Sequence, residues 1–104
     1  MKRARFVALA QQEFLQQVAH YEQVQKGLGE RFIAAVESAL TRAVAFPLAG
    51  APAVAQTRRV IVKGFPFSLF YRPHSDGIII FALAHHARRP GYWAERAERT
   101  LDTG

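Results

Sequence analysis

Apolar residues recur at helical spacing through the first half of the chain. Within residues 11–25 the side chains of Phe14, Val18 and Tyr21 fall on one face, and most of the other positions are Gln, Glu or His. The same spacing returns over residues 28–45. Two amphipathic helices are therefore predicted. Because only a few residues join them, they should pack as an antiparallel hairpin.

Glycine and proline mark where these helices end. Gly27 follows Lys26, which is typical of a helix end where a left-handed residue satisfies the last carbonyls. Pro47 follows Phe46 and ends the second helix, because a residue before proline avoids helical dihedrals.

The second half of the chain changes to short runs of β-branched and aromatic residues. Residues 57–63, 65–72 and 78–86 form three such runs, separated by Gly, Pro and Asp. This pattern predicts three consecutive antiparallel strands. Residues 48–56 contain Gly50 and Pro52 and are predicted to form a loop.

Shorter elements are expected at the two ends. Residues 5–9 can form a first strand, with Arg3 as another possible start, although their alanines would equally begin a helix. A short helix is expected from about Gly91. The element order predicts one α+β domain over residues 1–104, in which an N-terminal strand and a two-helix hairpin pack on a small antiparallel sheet. The other sheet face would then be open to a partner.

Composition excludes several kinds of chemistry. The chain has no cysteine, which rules out disulfides, thiolate catalysis and cysteine-ligated metals. Its longest apolar run, residues 78–84, is far shorter than the ~20 residues of a membrane helix. Charged residues and glutamines follow the basic start too soon for a signal peptide. A cytoplasmic protein is expected.

Positive charge is concentrated in the predicted sheet. The formal net charge is +6, and between Arg58 and Arg89 six basic residues face one acidic residue, Asp76. A concentrated positive field favours an acidic partner, either nucleic acid or an acidic protein segment. A solvated basic face without a partner explains the same composition.

Several motifs occur in a common order along the chain. They are Gly27-Leu28-Gly29 before Phe32, Pro47 and Gly50, Arg58-Arg59-Val60, Phe65-Pro66-Phe67 with Leu69 and Tyr71, and Ala84-His85-His86-Ala87-Arg88-Arg89-Pro90-Gly91-Tyr92-Trp93 with Arg96. In this order they resemble the RelE/ParE toxins of type II toxin–antitoxin systems. The resemblance implies the α+β fold above, no cofactor, and a cognate antitoxin whose C-terminal segment wraps the toxin.

The family divides by target. RelE-like members cut messenger RNA on the ribosome without a metal, a reaction that needs a proton acceptor, an acid for the leaving oxygen and positive charge on the phosphate. If this chain is such a ribonuclease, the catalytic candidates are Arg59, Lys63, His85, His86, Arg88 and Tyr92.

ParE-like members, the plasmid stabilisation branch, inhibit DNA gyrase without breaking a bond. For that activity the resemblance implies a surface that binds the target or the antitoxin, since arginine and aromatic side chains are common binding hot spots. Its candidates are Arg58, Arg59, Arg72, Arg88, Arg89, Tyr92, Trp93 and Arg96.

The residues favour the gyrase branch. Ser68 stands where RelE often has arginine, and the Pro90-Gly91-Tyr92-Trp93 ending is more similar to the plasmid stabilisation branch. His85-His86 argues for the other branch, because some ribonuclease members use a histidine. Alanine at Arg88, Tyr92 or Trp93 is expected to relieve toxicity without loss of the fold.

Structural roles compete with these assignments. Trp93 can be a lid over the sheet edge, and Arg96 can pair with nearby Glu95 or Glu98. Adjacent histidines alternate sides of a strand, so at most one of His85 and His86 faces an active surface. No second cluster stands at metal-ligand spacing, so no metal site is expected.

A stand-alone basic nucleic-acid-binding domain remains a further alternative. The target, gyrase or ribosome with its message, also stays open, as does the choice between a homodimer and a toxin–antitoxin hetero-oligomer.

Overall fold

The computed structural model describes residues 2–102 of the chain. The elements are β1 (Arg3–Phe6), α1 (Ala8–Val24), α2 (Leu28–Ala45), β2 (Ala51–Ala53), β3 (Thr57–Val62), β4 (Phe67–His74), β5 (Gly77–His85) and α3 (Ala94–Asp102). They confirm the predicted α+β fold, with an N-terminal strand, a two-helix hairpin, a sheet and a short C-terminal helix. Within residues 2–102, no helix has the length and apolar character required to cross a membrane.

The five strands form one sheet in the order β1-β5-β4-β3-β2. Strands β3, β4 and β5 make the predicted antiparallel meander. Strand β1 pairs with β5 in parallel, from Arg3 opposite Gly77 to Phe6 opposite Ile80, so the sheet is mixed rather than wholly antiparallel. A parallel pair is possible here because both helices and three strands lie between β1 and β5, which gives the chain room to cross over.

Two of the predicted boundaries were wrong. The first strand ends at Phe6, and Ala8 and Leu9 already belong to α1, as the high helix propensity of alanine allows. The predicted loop over residues 48–56 contains strand β2, which pairs with β3. Pro52 is tolerated there because β2 is the edge strand of the sheet.

The helical hairpin covers one face of the sheet. Phe32 and Val36 of α2 are fully buried against Val62 and Leu69. Phe65 packs edge-on against Phe32 at 5.0 Å between ring centroids. This face is the main hydrophobic core, as the helical spacing predicted.

The turn between the helices is held by a side chain of α1. Gly27 has φ 89, in the left-handed region, which glycine adopts at little cost. The Glu22 carboxylate accepts hydrogen bonds from the backbone N–H groups of Gly27, at 3.0 Å, and of Gly29, at 3.0 Å. These contacts satisfy free donors at the start of α2.

The second face of the sheet is partly covered, contrary to the expectation of an open face. Trp93 is 2% exposed and its ring lies 4.4 Å from that of Phe70. Ala97 of α3 is buried in the same cluster, together with Phe81 and Ala82. The C-terminal segment therefore forms a second, smaller core on this face and leaves only the part nearer β3 accessible.

Candidate functional site

A cleft of about 190 Å³ lies on the second face, between the strand ends and the segment that follows β5. We call it the basic cleft. It is lined by Arg59, Ser68, Phe70, Ala84, His85, His86, Arg88, Arg89, Pro90, Gly91, Tyr92 and Trp93. These residues all lie in the described part of the chain, and none of them is acidic. The fold thus brings together seven of the residues that the sequence singled out.

The two histidines point to opposite faces, as strand alternation predicted. His86 Nε2 lies 2.9 Å from the hydroxyl of buried Ser68. The His85 ring packs edge-on against Phe67 at 5.0 Å, on the side of the helical hairpin. Its Nδ1 accepts a hydrogen bond from the backbone N–H of Ala87 at 2.9 Å. His86 is therefore the histidine whose ring faces Ser68 in the basic cleft.

Three arginines give the cleft its charge. The Arg88 guanidinium lies 4.0 Å from the centroid of the Tyr92 ring, a cation–π contact that restricts where the charge can sit. Among the side chains of residues 2–100, the ion pairs are His74 with Asp76 and Arg96 with Glu13, and neither involves Arg59, Arg88 or Arg89. No carboxylate of residues 2–100 thus pairs with these three charges, which favour an anionic ligand.

A partly buried polar cluster lies beside the cleft. The Glu13 carboxylate accepts hydrogen bonds from the Tyr92 hydroxyl at 2.6 Å, from the Arg96 guanidinium at 3.0 and 3.1 Å, and from the backbone N–H of Leu83 at 3.2 Å. We call these four residues the Glu13 cluster. It ties α1, β5 and the C-terminal segment together through charge-assisted bonds.

The Glu13 cluster also fixes the protonation state of Tyr92. Burial raises the pKa of the Tyr92 hydroxyl far above its ordinary value, and the hydrogen bond and negative charge of Glu13 raise it further. Because an ionised phenol beside a carboxylate is disfavoured, Tyr92 remains a neutral donor. Its hydroxyl is thus occupied and does not act as a proton acceptor at neutral pH.

Two predicted site residues hold the backbone together away from the cleft. Arg58 donates to the carbonyls of Leu48 at 2.9 Å and Gly50 at 2.8 Å. Arg72 donates to the carbonyls of Ala55, Gln56 and Ala97, and burial lowers the pKa of its guanidinium. Arg72 thereby links the β2–β3 turn to α3. These contacts are typical of structural arginines.

Three further candidates also have positions that the sequence did not reveal. Trp93 belongs to the second core, which supports the lid interpretation over an exposed binding anchor. Arg96 pairs with Glu13 and not with Glu95 or Glu98. Lys63 follows β3 and lines a separate groove beside the end of α2.

Sequence reasoning missed Glu13, and Ser68 was noted only as a departure from a motif. Glu13 lies among the polar residues of an amphipathic helix, and its partners are 70 to 83 positions away. No local pattern signals such contacts. The position of Ser68 could have been predicted from strand alternation. Ser68 stands between Phe67 and Leu69, whose side chains lie in the main core, so its own side chain must point to the second face.

The described residues contain no group of three or more His, Cys, Asp or Glu side chains that could hold a metal ion. Residues 4–90 match the family described as ParE toxin of type II toxin-antitoxin system, parDE. The match includes the strands, the histidines and Arg88 and Arg89, and ends before Tyr92. No curated protein matches the chain significantly.

Proposed function

The chain belongs to the family of ParE toxins of type II toxin–antitoxin systems, and from this premise we propose that it inhibits DNA gyrase through its basic cleft. It is thus the toxin component of such a system, and a cognate antitoxin is its partner.

The hydrogen bond from the Tyr92 hydroxyl to the Glu13 carboxylate is the observation that carries the proposal. RNA cleavage through a 2′-hydroxyl needs one group to accept a proton and another to donate one. The Tyr92 hydroxyl is committed to Glu13, and the His85 ring packs on the other side of the sheet from His86. Of the two histidines that line the cleft, His86 is then the one whose ring faces Ser68. The cleft is better equipped to bind than to cleave.

The cleft has the side chains of a protein-binding hot spot. Arginine and tyrosine are the residue types that most often dominate binding energy. Arg88 is held by the Tyr92 ring, so less side-chain entropy is lost when it meets a partner. Arg59 and Arg89 add charge around it. An acidic surface of gyrase would complement this arrangement, and binding should weaken as salt rises.

A ribosome-dependent endonuclease is the second candidate. It is favoured by one observation: His86 shares the basic cleft with Arg59, Arg88 and Arg89. The cleft therefore contains both a histidine that can accept a proton and arginines that can bind a phosphate. A stand-alone nucleic-acid-binding domain is no longer supported, since the family implies an antitoxin partner.

The test is a pair of assays with purified protein: supercoiling by gyrase, and translation of a labelled message on ribosomes. We expect loss of supercoiling and an intact message. The variant Arg88→Ala should need about tenfold more protein for half inhibition, the effect of about 1.4 kcal/mol. Arg31→Ala serves as a matched control, because Arg31 is an exposed arginine of α2 that does not line the cleft.

Two results would overturn the proposal. One is a message cut only on ribosomes with supercoiling unchanged, which would establish the second candidate and make His86 its first residue to replace. The other is Arg88→Ala inhibiting gyrase as strongly as the Arg31→Ala control, which would place the binding surface elsewhere.

A further inference from the structure

The Glu13 cluster and the basic cleft share one side chain, Tyr92. Its hydroxyl donates to the Glu13 carboxylate at 2.6 Å, and the centroid of its ring lies 4.0 Å from the Arg88 guanidinium. We infer that Glu13 is a positioning residue, whose carboxylate fixes the Tyr92 ring and through that ring holds Arg88 at the basic cleft. That Arg88 meets gyrase there rests on the proposed function, whereas the chain of contacts does not.

The Glu13 carboxylate is itself firmly held. Its Oε1 accepts from the Leu83 backbone N–H at 3.2 Å and from the Arg96 guanidinium at 3.0 Å. Its Oε2 accepts from the Tyr92 hydroxyl at 2.6 Å and from Arg96 at 3.1 Å. A two-pronged contact with arginine fixes the direction of a carboxylate as well as its position. Because Leu83 belongs to β5, the sheet sets where Tyr92 finds its acceptor.

The bond to Glu13 fixes the far end of the Tyr92 ring. The near end is anchored by the next residue, Trp93, which is 2% exposed in the second core. The hydroxyl is at the opposite end of the ring, so a bond there stops the ring from swinging about its side-chain dihedrals. Burial and the neighbouring Glu13 raise the pKa of this hydroxyl, so the donor is present at neutral pH.

The face of this ring is what restricts Arg88. Arg88 is an exposed residue in the turn after β5, and neither ion pair among the side chains of residues 2–100 includes it. A long, exposed side chain has many rotamers, and the cation–π contact with Tyr92 favours those that place its charge over the ring. Arg89 lines the same cleft, but the cation–π contacts of residues 2–100 are made by Arg72, Arg88 and Arg96.

The bonds that Glu13 already accepts also keep it from capturing Arg88. Glu13, Arg88 and Tyr92 line one hollow of about 230 Å³ next to α1. A carboxylate with open acceptor positions in this hollow would draw Arg88 into an ion pair and away from the cleft. Arg96 supplies two bonds and a full counter-charge instead, and each oxygen of Glu13 accepts two bonds, which fills its capacity. Arg88 thus keeps its charge available to an anionic partner.

The test removes one hydroxyl. Tyr92→Phe keeps the ring face that Arg88 contacts and deletes the bond to Glu13. Proton chemical shifts of the Arg88 side chain, measured by NMR on the free protein, report the contact, because protons over an aromatic ring shift upfield. We expect Tyr92→Phe to lose at least about half of the upfield shift, since the ring is no longer fixed at its far end and phenylalanine binds a cation as tyrosine does. Tyr92→Leu, which has no ring, defines the complete loss.

Arg72 is the internal control for these spectra. Its guanidinium lies 4.8 Å from the centroid of the Phe81 ring, and it donates to the carbonyls of Ala55, Gln56 and Ala97 and not to Glu13. Its shift should be the same in wild type and in Tyr92→Phe. If the Arg88 shift also stays unchanged, the ring holds its place without Glu13 and the inference is overturned.

A measurement on the wild-type protein holds whether or not Tyr92→Phe folds. The Tyr92 hydroxyl proton should give a separate, slowly exchanging signal, because Glu13 accepts it. Nitrogen relaxation at Nε should show Arg88 to be more ordered than Arg89, an exposed neighbour that lines the same cleft. A hydroxyl in fast exchange with water, or equal order at the two arginines, would overturn the inference.

Inhibition of gyrase separates this inference from the proposed function. Tyr92→Phe should need about threefold more protein for half inhibition, and it should add no further loss to Arg88→Ala, because Glu13 acts through Arg88. An added loss of the same size in the double variant would show another route and contradict the inference. If wild type leaves gyrase active while Tyr92→Phe still reduces the Arg88 shift, the target is wrong and the positioning of Arg88 stands.

Discussion

At both edges of the sheet the outermost strand is shorter than the strand it pairs with, and different side chains bind the backbone groups that are left unpaired. At one edge β1 stops at Phe6 and leaves β5 without a neighbour beyond Ile80, and Glu13 accepts a hydrogen bond from the N–H of Leu83. At the other edge β2 leaves β3 without a neighbour, and Arg42 reaches the carbonyl of Ile61. At the first edge Arg96 also donates to the carbonyl of Phe81 at 3.0 Å, so two charged side chains bind backbone groups there and one does so at the second edge.

The difference lies in what surrounds the two side chains. Glu13 is shielded and has four donor contacts from Leu83, Tyr92 and Arg96. Arg42 is partly exposed, its bond to Ile61 lies at the surface, and its other contact is the hydroxyl of Ser38. A shielded carboxylate with several partners closes an edge firmly, whereas a guanidinium whose hydrogen bonds are exposed covers an edge only loosely. The first edge is therefore closed by the fold itself, and the second is left more open.

The largest expected effect on stability comes from the C-terminal segment, which contains Trp93 and lies next to the first edge. Trp93→Ala should lower the free energy of unfolding by about 3 to 5 kcal/mol, because it leaves a large cavity in the second core. This revises the expectation that alanine at Trp93 spares the fold. Urea denaturation measures the change, with Val54→Ala, a substitution at a 57% exposed residue, as control. A loss below 1 kcal/mol would show that the second core contributes little.

A matched pair of substitutions tests the edges directly. Glu13→Gln should cost about 2 to 3 kcal/mol, since it leaves the partly buried Arg96 guanidinium without its counter-charge. Arg42→Gln should cost less than about 1 kcal/mol, since its two hydrogen bonds are exposed and water replaces them. Urea denaturation of both variants gives the comparison. Equal losses would mean that the two edges do not differ as described.

The smallest expected effect is a dependence of the free energy of unfolding on pH in the alkaline range. Burial raises the pKa of Tyr92 well above its ordinary value of 10.0, with a further contribution from Glu13. Because the folded pKa exceeds the unfolded one, the stabilisation from neutral Tyr92 is fully present below about pH 10 and is lost as pH rises further. Unfolding free energies between pH 9 and about pH 11 should therefore fall more gently in Tyr92→Phe than in wild type. Parallel slopes would contradict the role of Tyr92 in the Glu13 cluster.

Much of the fold followed from local patterns. Helix α2 was predicted over the residues that it occupies, because Gly27 and Pro47 punctuate it and its apolar spacing is regular. The meander followed from its β-branched runs. Strand β2 was missed because three residues with a central proline have no strand pattern of their own; pairing with β3 creates it.

The candidate site was predicted less completely. The sequence singled out Arg59, His86, Arg88 and Arg89, and the fold gathers them in one cleft. It did not reveal that Arg58 and Arg72 hold carbonyls instead. A basic side chain has the same local pattern whether it binds a partner or a carbonyl of its own chain.

The sequence by itself determined the family, the two helices, the meander and the concentration of positive charge, because spacing, breakers and composition are local properties. Only the tertiary structure decided which charges are used internally. It placed Glu13 beside Tyr92 and Arg96, buried Trp93 under the sheet, and left Ile61 at an open edge. These outcomes depend on contacts between distant positions, which exist only after the chain has packed.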